Sequence, residues 1–493
     1  MLRFSAVTIG CKVNQYETQA ITALLRRMGL RDANDLSKPS DLIIVNTCCV
    51  TSSASGKSRR AIRRIVRKNP NADIFILGCY ATFHGQELRQ LAIQTGATGQ
   101  IHVFGHHDNI SACLQQHLSS VCDPGREKKQ CPKPTRPVRY EKSMMECISQ
   151  HPAKDCPNPT LIETDRNSNV KKNYSGKNLP TIEVFTGHQR AFVKVQDGCD
   201  AFCTYCIIPH LRSRLSSRPA GEIINEVSNL ITNGHKEIVL CGVFLGAYGR
   251  NTTIRRKWSG PSAMPELLRR VADMPGLWRV RLSSLEPGDV TDELLKIFRN
   301  RPTVAPHLHL PLQSGSSRIL KRMNRQYNRE QFFDAVRRVR ESVNQAAITT
   351  DVVVGFPGET EEDFAETLAA AEQAEFSKIH TFGFSPRPGT AAWNWRKEVP
   401  HPTIVKARCA KLAELEREMS ENFRRRFIGR TVEAIVEMPN TRTPLGHARG
   451  LTDRYIEVTF PKNGGEDLTG KIVRLRIERL SNGGLEGTLV KNF

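Results

Sequence analysis

Residues 191–206 read Ala191-Phe192-Val193-Lys194-Val195-Gln196-Asp197-Gly198-Cys199-Asp200-Ala201-Phe202-Cys203-Thr204-Tyr205-Cys206. The first part, Ala191–Gln196, has the apolar, β-branched character of a strand. Three cysteines follow at spacings of four and three residues, in the loop just past that strand. Thiolates are the standard protein ligands of a cubane iron–sulfur cluster. A cubane has four irons, so three thiolates leave one iron open to an outside molecule, which makes the site catalytic as well as structural. The competing reading is a zinc site, with His210 near enough in sequence to supply a fourth ligand.

Further strand candidates follow at Glu237–Cys241, Trp278–Ser283, His307–Leu312, Ile348–Gly355 and Ile379–Phe384, with helical patterns between them. One such pattern is Ile223, Val227, Leu230 and Ile231, closed by Gly234. Six strand–helix units predict a full or partial (β/α) barrel over 186–427, ending in a charged connecting helix. Residues 1–110 predict a separate parallel α/β domain, with strands at Phe4–Gly10, Asp41–Thr47 and Asp73–Gly78. Residues 111–185 are rich in Pro, Ser, Asn and Lys and read as an insertion or linker, disordered in part. Short strands and the turn signals Asn463-Gly464-Gly465 and Asn482-Gly483-Gly484 predict a small β-barrel over 428–493. The fold class is therefore α/β with a small all-β domain at the end.

A second cysteine set lies in the N-terminal domain. Cys11 follows the first strand, Cys48 the second and Cys79 the third. Ligands collect at the carboxyl ends of parallel strands, so three distant segments can bring three thiols to one point. The bland alternative is three buried cysteines acting as small hydrophobes. Cys49, beside Cys48, is either a further ligand or a bystander.

The 493 residues carry 72 Lys and Arg against 50 Asp and Glu, a net charge of +22. That balance attracts polyanions, nucleic acid above all. The charge does not sit in the C-terminal segment, where 428–493 hold ten basic against eight acidic side chains. Lys57, Arg59, Arg60, Arg63, Arg64, Arg67 and Lys68 line a predicted helix over 57–68. Arg60, Arg63 and Arg64 are the phosphate-contact candidates, a solvated helix face being the competing reading. No run of eighteen apolar residues predicts a membrane helix, so no membrane partner is expected. The start lacks the features of a signal peptide. A cytoplasmic setting is expected, in which the fourteen cysteines stay reduced and serve metal or catalysis.

The CxxxCxxC stretch after a strand resembles the radical S-adenosylmethionine superfamily. The two cysteine sets and the terminal β-barrel narrow this, and the chain outside 111–185 looks like the methylthiotransferase family. The segments Ser283-Ser284-Leu285-Glu286-Pro287, His307 to Gly315 (HLHLPLQSG), Asp351 to Thr360 (DVVVGFPGET), Ser385-Pro386-Arg387-Pro388-Gly389-Thr390 and Gly450 to Tyr455 (GLTDRY) carry the likeness. Gly10-Cys11-Lys12-Val13-Asn14-Gln15-Tyr16-Glu17-Thr18 and Lys57-Ser58-Arg59-Arg60 resemble the branch that acts on threonylcarbamoyladenosine in transfer RNA.

The resemblance implies three parts: an N-terminal domain with an auxiliary cluster on Cys11, Cys48 and Cys79; a radical S-adenosylmethionine core whose [4Fe-4S] cluster sits on Cys199, Cys203 and Cys206; and a TRAM domain. It implies S-adenosylmethionine and two [4Fe-4S] clusters as cofactors, transfer RNA as partner, and a reductant such as flavodoxin or ferredoxin. The sulfur donor is left open. Glu286, Gln313 and Asp351 match motifs near S-adenosylmethionine or substrate, with ordinary loop caps as the equal alternative. Two related branches act on isopentenyladenosine in transfer RNA and on a ribosomal-protein aspartate. A non-enzymatic iron–sulfur protein, binding RNA or carrying electrons, is the remaining class, although a carrier would normally complete each cluster with four protein ligands. Cys241, Phe244 and Gly383 depart from the usual pattern, and the insertion adds Cys113, Cys122, Cys131, Cys147 and Cys156, whose spacings lack any CxxC.

Overall fold

The computed structural model describes residues 2–33, 39–106, 108–122, 179–462 and 466–490. They fall into two compact units. One comprises Met1–Thr181 with Tyr205–Arg212 and Arg387–Asn394, the other Ile182–Thr204, Ser213–Pro386 and Trp395–Phe493.

The first unit is built on a parallel sheet of β1 (Arg3–Thr8), β2 (Arg31–Asp32), β3 (Leu42–Thr47), β4 (Asp73–Gly78) and β5 (Ile101–Val103), in the order β2-β1-β3-β4-β5. Strand β3 is buried throughout, because its run Leu42-Ile43-Ile44-Val45 is covered on both faces. Leu42 and Ile44 join Phe4, Phe75 and the Ile21–Leu25 stripe of α1 (Lys12–Arg27) on one face. Ile43 and Val45 pack with Ile62, Ile65 and Val66 of α2 (Ser52–Lys68) and with α3 (Cys79–Gln94) on the other. Each such side chain contributes about 1.5–3 kcal/mol on burial. Helix α4 (Ile110–Cys122) lays Cys113, Leu114 and Leu118 into the first of these cores. The N-terminal unit thus runs past the boundary at 110 that composition suggested. The helical spacing of those three residues is what the polar sequence downstream hid. Cys131, Cys147 and Cys156 lie outside the described residues.

The second unit contains the six expected strands: β6 (Arg190–Asp197), β8 (Glu237–Gly242), β9 (Arg279–Leu282), β10 (His307–His309), β11 (Ala347–Val354) and β12 (Lys378–Gly383). Parallel bridges Val280↔Val304 and Ser284↔His309 join the two sheets, so the strands run β6-β8-β9-β10-β11-β12 as a partial barrel. The two-residue strand β7 (Ser216–Ser217) adds antiparallel to β6 and is too short to announce itself in sequence. Expected strand His307–Leu312 stops at His309, since Pro311 has no N–H for the ladder.

The helix Pro402–Arg425 leads to the last domain. There β13 (Thr431–Glu437), β14 (His447–Thr452), β15 (Glu457–Pro461), β16 (Ile472–Ser481) and β17 (Gly484–Leu489) close into a five-stranded barrel in the order β13-β14-β15-β17-β16. Gly483 turns the β16–β17 hairpin at φ +84°, as its sequence signal required, while Asn463-Gly464-Gly465 lies outside the described residues. The loop after β14 enters the floor of the large barrel. Arg281, fully buried, donates to the Thr452 and Asp453 carbonyls at 2.6 and 2.5 Å and lies 3.9 Å from the Tyr455 ring centre. No helix among the described residues is long and apolar enough to cross a membrane.

Candidate metal centres

The ends of β1, β3 and β4 bring the N-terminal cysteines to the same edge of the sheet, as the alternation predicted. Cys11 precedes the first turn of α1, Cys48 follows β3, and Cys79 opens α3. A lock of amides holds these ends together. Asn14 Nδ2 donates to Asn46 Oδ1 at 2.9 Å and to the Thr47 carbonyl at 3.3 Å, while Asn46 Nδ2 donates back to the Asn14 carbonyl at 3.0 Å. Ser58 Oγ ties both the N–H and the C=O of Cys48 to α2, at 3.2 and 3.0 Å. Gly78 has φ +96°, and a Cβ there would lie 2.3 Å from Asn46 Oδ1 and 2.4 Å from the Thr47 carbonyl oxygen. Only glycine permits this approach.

Burial pushes the Cys48 thiol up and Cys79 well above its ordinary value, and Cys11 adds to both by Coulomb repulsion. Cys11, Cys48 and Cys79 are therefore mutually within electrostatic reach. Cys49 is driven to about 12 by burial and by Cys48, with Arg387 working against them, and packs among Ile62, Ile65 and Ile207 in the same cluster as Cys79. Thiols this reluctant to ionise alone are ones that a metal deprotonates on binding. Cys11 Sγ lies 3.2 Å from Asn14 Oδ1, and His106 Nε2 lies 3.4 Å from Cys79 Sγ. Arg212 is 4% exposed and forms a bidentate pair with Glu17 at 2.8 and 3.0 Å. The three-thiol set, with the positive charge of Arg212 acting on Cys48 and Cys79, fits an iron–sulfur cluster.

In the second unit the loop after β6 is pinned from two sides. Asp200 accepts from Thr252 Oγ1 at 2.7 Å and from the Thr253 N–H at 2.6 Å. Thr204 bonds the carbonyls of Met323 and Arg322, at 3.0 Å each, and Asn324 Nδ2 donates to the Phe202 carbonyl at 3.0 Å. Phe202 takes φ +47°, a left-handed conformation that a phenylalanine holds only when its surroundings dictate it. Burial drives Cys199 to about 12 and raises Cys203, against which Arg325 works. Arg325 Nη1 donates to Cys203 Sγ at 3.1 Å and its Nη2 to Glu286 Oε1. Cys206 follows three residues later in sequence, in the segment Tyr205–Arg212 that clusters with the first unit.

Of the tentative residues, Glu286 is bound to Arg325 and also begins a capped turn with Asp289. It is thus both a cap and a neighbour of the Cys203 loop. Gln313 has φ +63° and is clasped between the Asp351 carbonyl and the Val353 N–H, at 2.8 and 2.9 Å. Asp351 Oδ2 lies 3.3 Å from His309 Nε2, and His380 joins them in one cluster. Arg60, Arg63 and Arg64 are exposed on α2, without an ion pair among the described residues, whereas Arg59 is occupied by Tyr80. Sequence reasoning missed Arg325, which lies in none of the family-like segments. Arg387 lies in one of them but carried no expected role.

Strand-end thiols on a parallel sheet, a CxxxCxxC loop on a partial barrel and a closing β-barrel define an iron–sulfur enzyme of radical S-adenosylmethionine type. The Radical SAM superfamily description matches residues 193–371, and the uncharacterized protein family UPF0004 matches residues 3–97. The chain is 33% identical to the threonylcarbamoyladenosine tRNA methylthiotransferase MtaB of Chlamydia pneumoniae, over 99% of this chain and 98% of that one. It is 32% identical to the tRNA-2-methylthio-N(6)-dimethylallyladenosine synthase of Clostridium tetani, over 98% and 95%. Among solved structures, the radical S-adenosylmethionine methyltransferase TsrM of Kitasatospora setae aligns with a TM-score of 0.48 and 16% identity, over 77% of this chain and 72% of that one. The chain belongs to the methylthiotransferase family of radical S-adenosylmethionine enzymes, whose cofactors are S-adenosylmethionine and [4Fe-4S] clusters. That membership sets the zinc reading of the CxxxCxxC loop aside.

Proposed function

We propose that this enzyme converts N6-threonylcarbamoyladenosine beside the transfer RNA anticodon to its 2-methylthio derivative. The observation that carries the choice of branch is the use of the segment Asn14-Gln15-Tyr16-Glu17-Thr18 in the N-terminal site. Asn14 locks the strand ends, Glu17 holds Arg212, and the Thr18 hydroxyl bonds Thr8 and Asn46. The sequence features that mark the branch are therefore parts of the auxiliary centre.

Cys199, Cys203 and Cys206 would hold one cluster, and Cys11, Cys48 and Cys79 the other. Bound there, the first cluster and S-adenosylmethionine supply an electron and a carbon radical able to take hydrogen from C2 of the adenine. The protein's part is placement. Arg325 screens the Cys203 thiolate and fixes Glu286, and the Thr252–Thr253 and Arg322–Asn324 segments hold the loop in its strained form. Cys48 and Cys79 are buried, which shields their side of the N-terminal site from water, while Cys11 is exposed. Arg60, Arg63 and Arg64 supply phosphate contacts, because the C-terminal barrel's near-balanced charge is too weak to bind RNA alone. A flavodoxin or ferredoxin is the matching class of electron donor, in a cytoplasmic setting.

Nucleoside mass spectrometry of transfer RNA from a strain lacking the gene tests the reading. Loss of the methylthio mark from threonylcarbamoyladenosine is expected. Its retention, with loss from isopentenyladenosine, overturns the choice of branch.

A further inference from the structure

Arg387 lies on a tight turn whose backbone is fixed by Thr390, which donates to the Arg387 carbonyl from its N–H at 3.2 Å and its hydroxyl at 2.7 Å. Its Nη1 donates to Ser55 Oγ at 3.3 Å, on the first turns of α2. Its other two donor atoms, Nε and Nη2, are buried and have no acceptor among the described residues. Buried guanidinium N–H groups are rarely left so, because desolvating them without a partner is costly. Arg212, the other arginine at this end of the sheet, is by contrast fully engaged by the Glu17 carboxylate. Arg387 has no carboxylate partner among the described residues. The ionisable groups that act on it are Cys49, Cys48 and Tyr80, with Arg59 opposing.

We propose that Arg387 binds the anionic sulfur co-substrate, a sulfide, polysulfide or methylthiolate, beside the auxiliary cluster. The proposal rests on the reading of Cys11, Cys48 and Cys79 as that cluster's ligands. Three thiolates leave a cubane negatively charged as a whole, so a further sulfur anion is repelled unless a fixed cation offsets it. The Nε–Nη2 edge of a guanidinium offers two parallel N–H groups to one acceptor, which suits such an anion. Ser55 and the Thr390 turn hold that edge in place, so little ordering remains when the anion arrives.

The full chain carrying Cys199→Ala, Cys203→Ala and Cys206→Ala isolates the auxiliary cluster. In this background, Arg387→Met, Arg387→Gln and Arg387→Lys are reconstituted anaerobically, assayed for iron and sulfide, and titrated with sodium methanethiolate. Binding is read from the electron paramagnetic resonance spectrum of the reduced cluster. With unchanged iron content, Arg387→Met and Arg387→Gln should need about tenfold more thiolate for the same spectral change, and Arg387→Lys should recover part of the loss. Titration of Arg387→Met at the concentration that suffices for arginine overturns the proposal. So does loss of the cluster in both Met and Gln variants, which would make Arg387 an assembly residue. The underlying reading fails separately, if Cys11→Ala, Cys48→Ala and Cys79→Ala together leave the iron content of this background intact.

Discussion

Replacing Glu237 with glutamine should destabilise the second unit severely, although Glu237 touches none of the proposed cluster ligands. Its carboxylate is fully buried and pairs with Arg281 at 2.5 Å and Arg279 at 3.1 Å. Arg281 is equally buried, and Arg279 is brought down to about 10 by burial and by Arg281. In Glu237→Gln two neighbouring guanidinium groups lose the carboxylate they both bind and repel each other. Removing one partner of a buried pair costs about 3–5 kcal/mol. Urea unfolding followed by tryptophan fluorescence is the assay, since Trp278 is stacked on Arg279 and bonded to Glu433. With a slope of about 3 kcal/mol/M, the midpoint should fall by roughly 1–1.7 M. Adding Arg281→Met should cost less than the two separate losses summed, because the second change removes a charge the first has stranded. A midpoint within about 0.3 M of the parent would refute the claim that this network joins the large barrel to the small one.

Reversing Arg60, Arg63 and Arg64 to glutamate should weaken transfer RNA binding and flatten its salt dependence, by about 0.9 in the log–log slope for each phosphate that is no longer neutralised. Unchanged affinity at low and moderate salt would make α2 a solvated face. Arg325→Met should leave the iron content in place yet cut reductive cleavage of S-adenosylmethionine at least tenfold, on the order of 1.4 kcal/mol, by baring Cys203 and freeing Glu286. Equal cleavage rates in the two proteins would return Arg325 to a structural role. The metal-free chain should lose stability as pH rises above 9, the ordinary thiol value. There the unfolded chain releases thiol protons that burial makes the folded chain retain, so the contribution is complete below 9 and lost as pH climbs toward about 12 at Cys199. Melting temperatures of metal-free and loaded protein at pH 8 and pH 10 check this, with the loaded form changing less.

Most of the fold was legible because its signals are local. The β3 run and the six strands of the large barrel announce themselves by apolar, β-branched composition, and the cysteines fall just past strand ends where ligands gather. What sequence could not give are partners brought together only by the folded chain. Arg325 reaches a thiol 122 positions earlier, and Arg387 reaches Ser55 across 332. Arginine side chains carry no periodic signature, so nothing marks which of them will be buried. The packing of the helix beyond residue 110 was hidden for a related reason. Cys113, Leu114 and Leu118 are a short apolar stripe, and only its packing with Phe75, Phe104 and the α1 residues makes it a core element.

The lock between Asn14, Asn46 and the bare Gly78 is made wholly of protein atoms. The three strand ends are therefore tied to one another by the protein's own hydrogen bonds and close packing, at the edge of the sheet where the thiols lie. A side chain at position 78 would press the end of β4 against the end of β3, so the spacing of the thiols depends on a residue that carries no functional group.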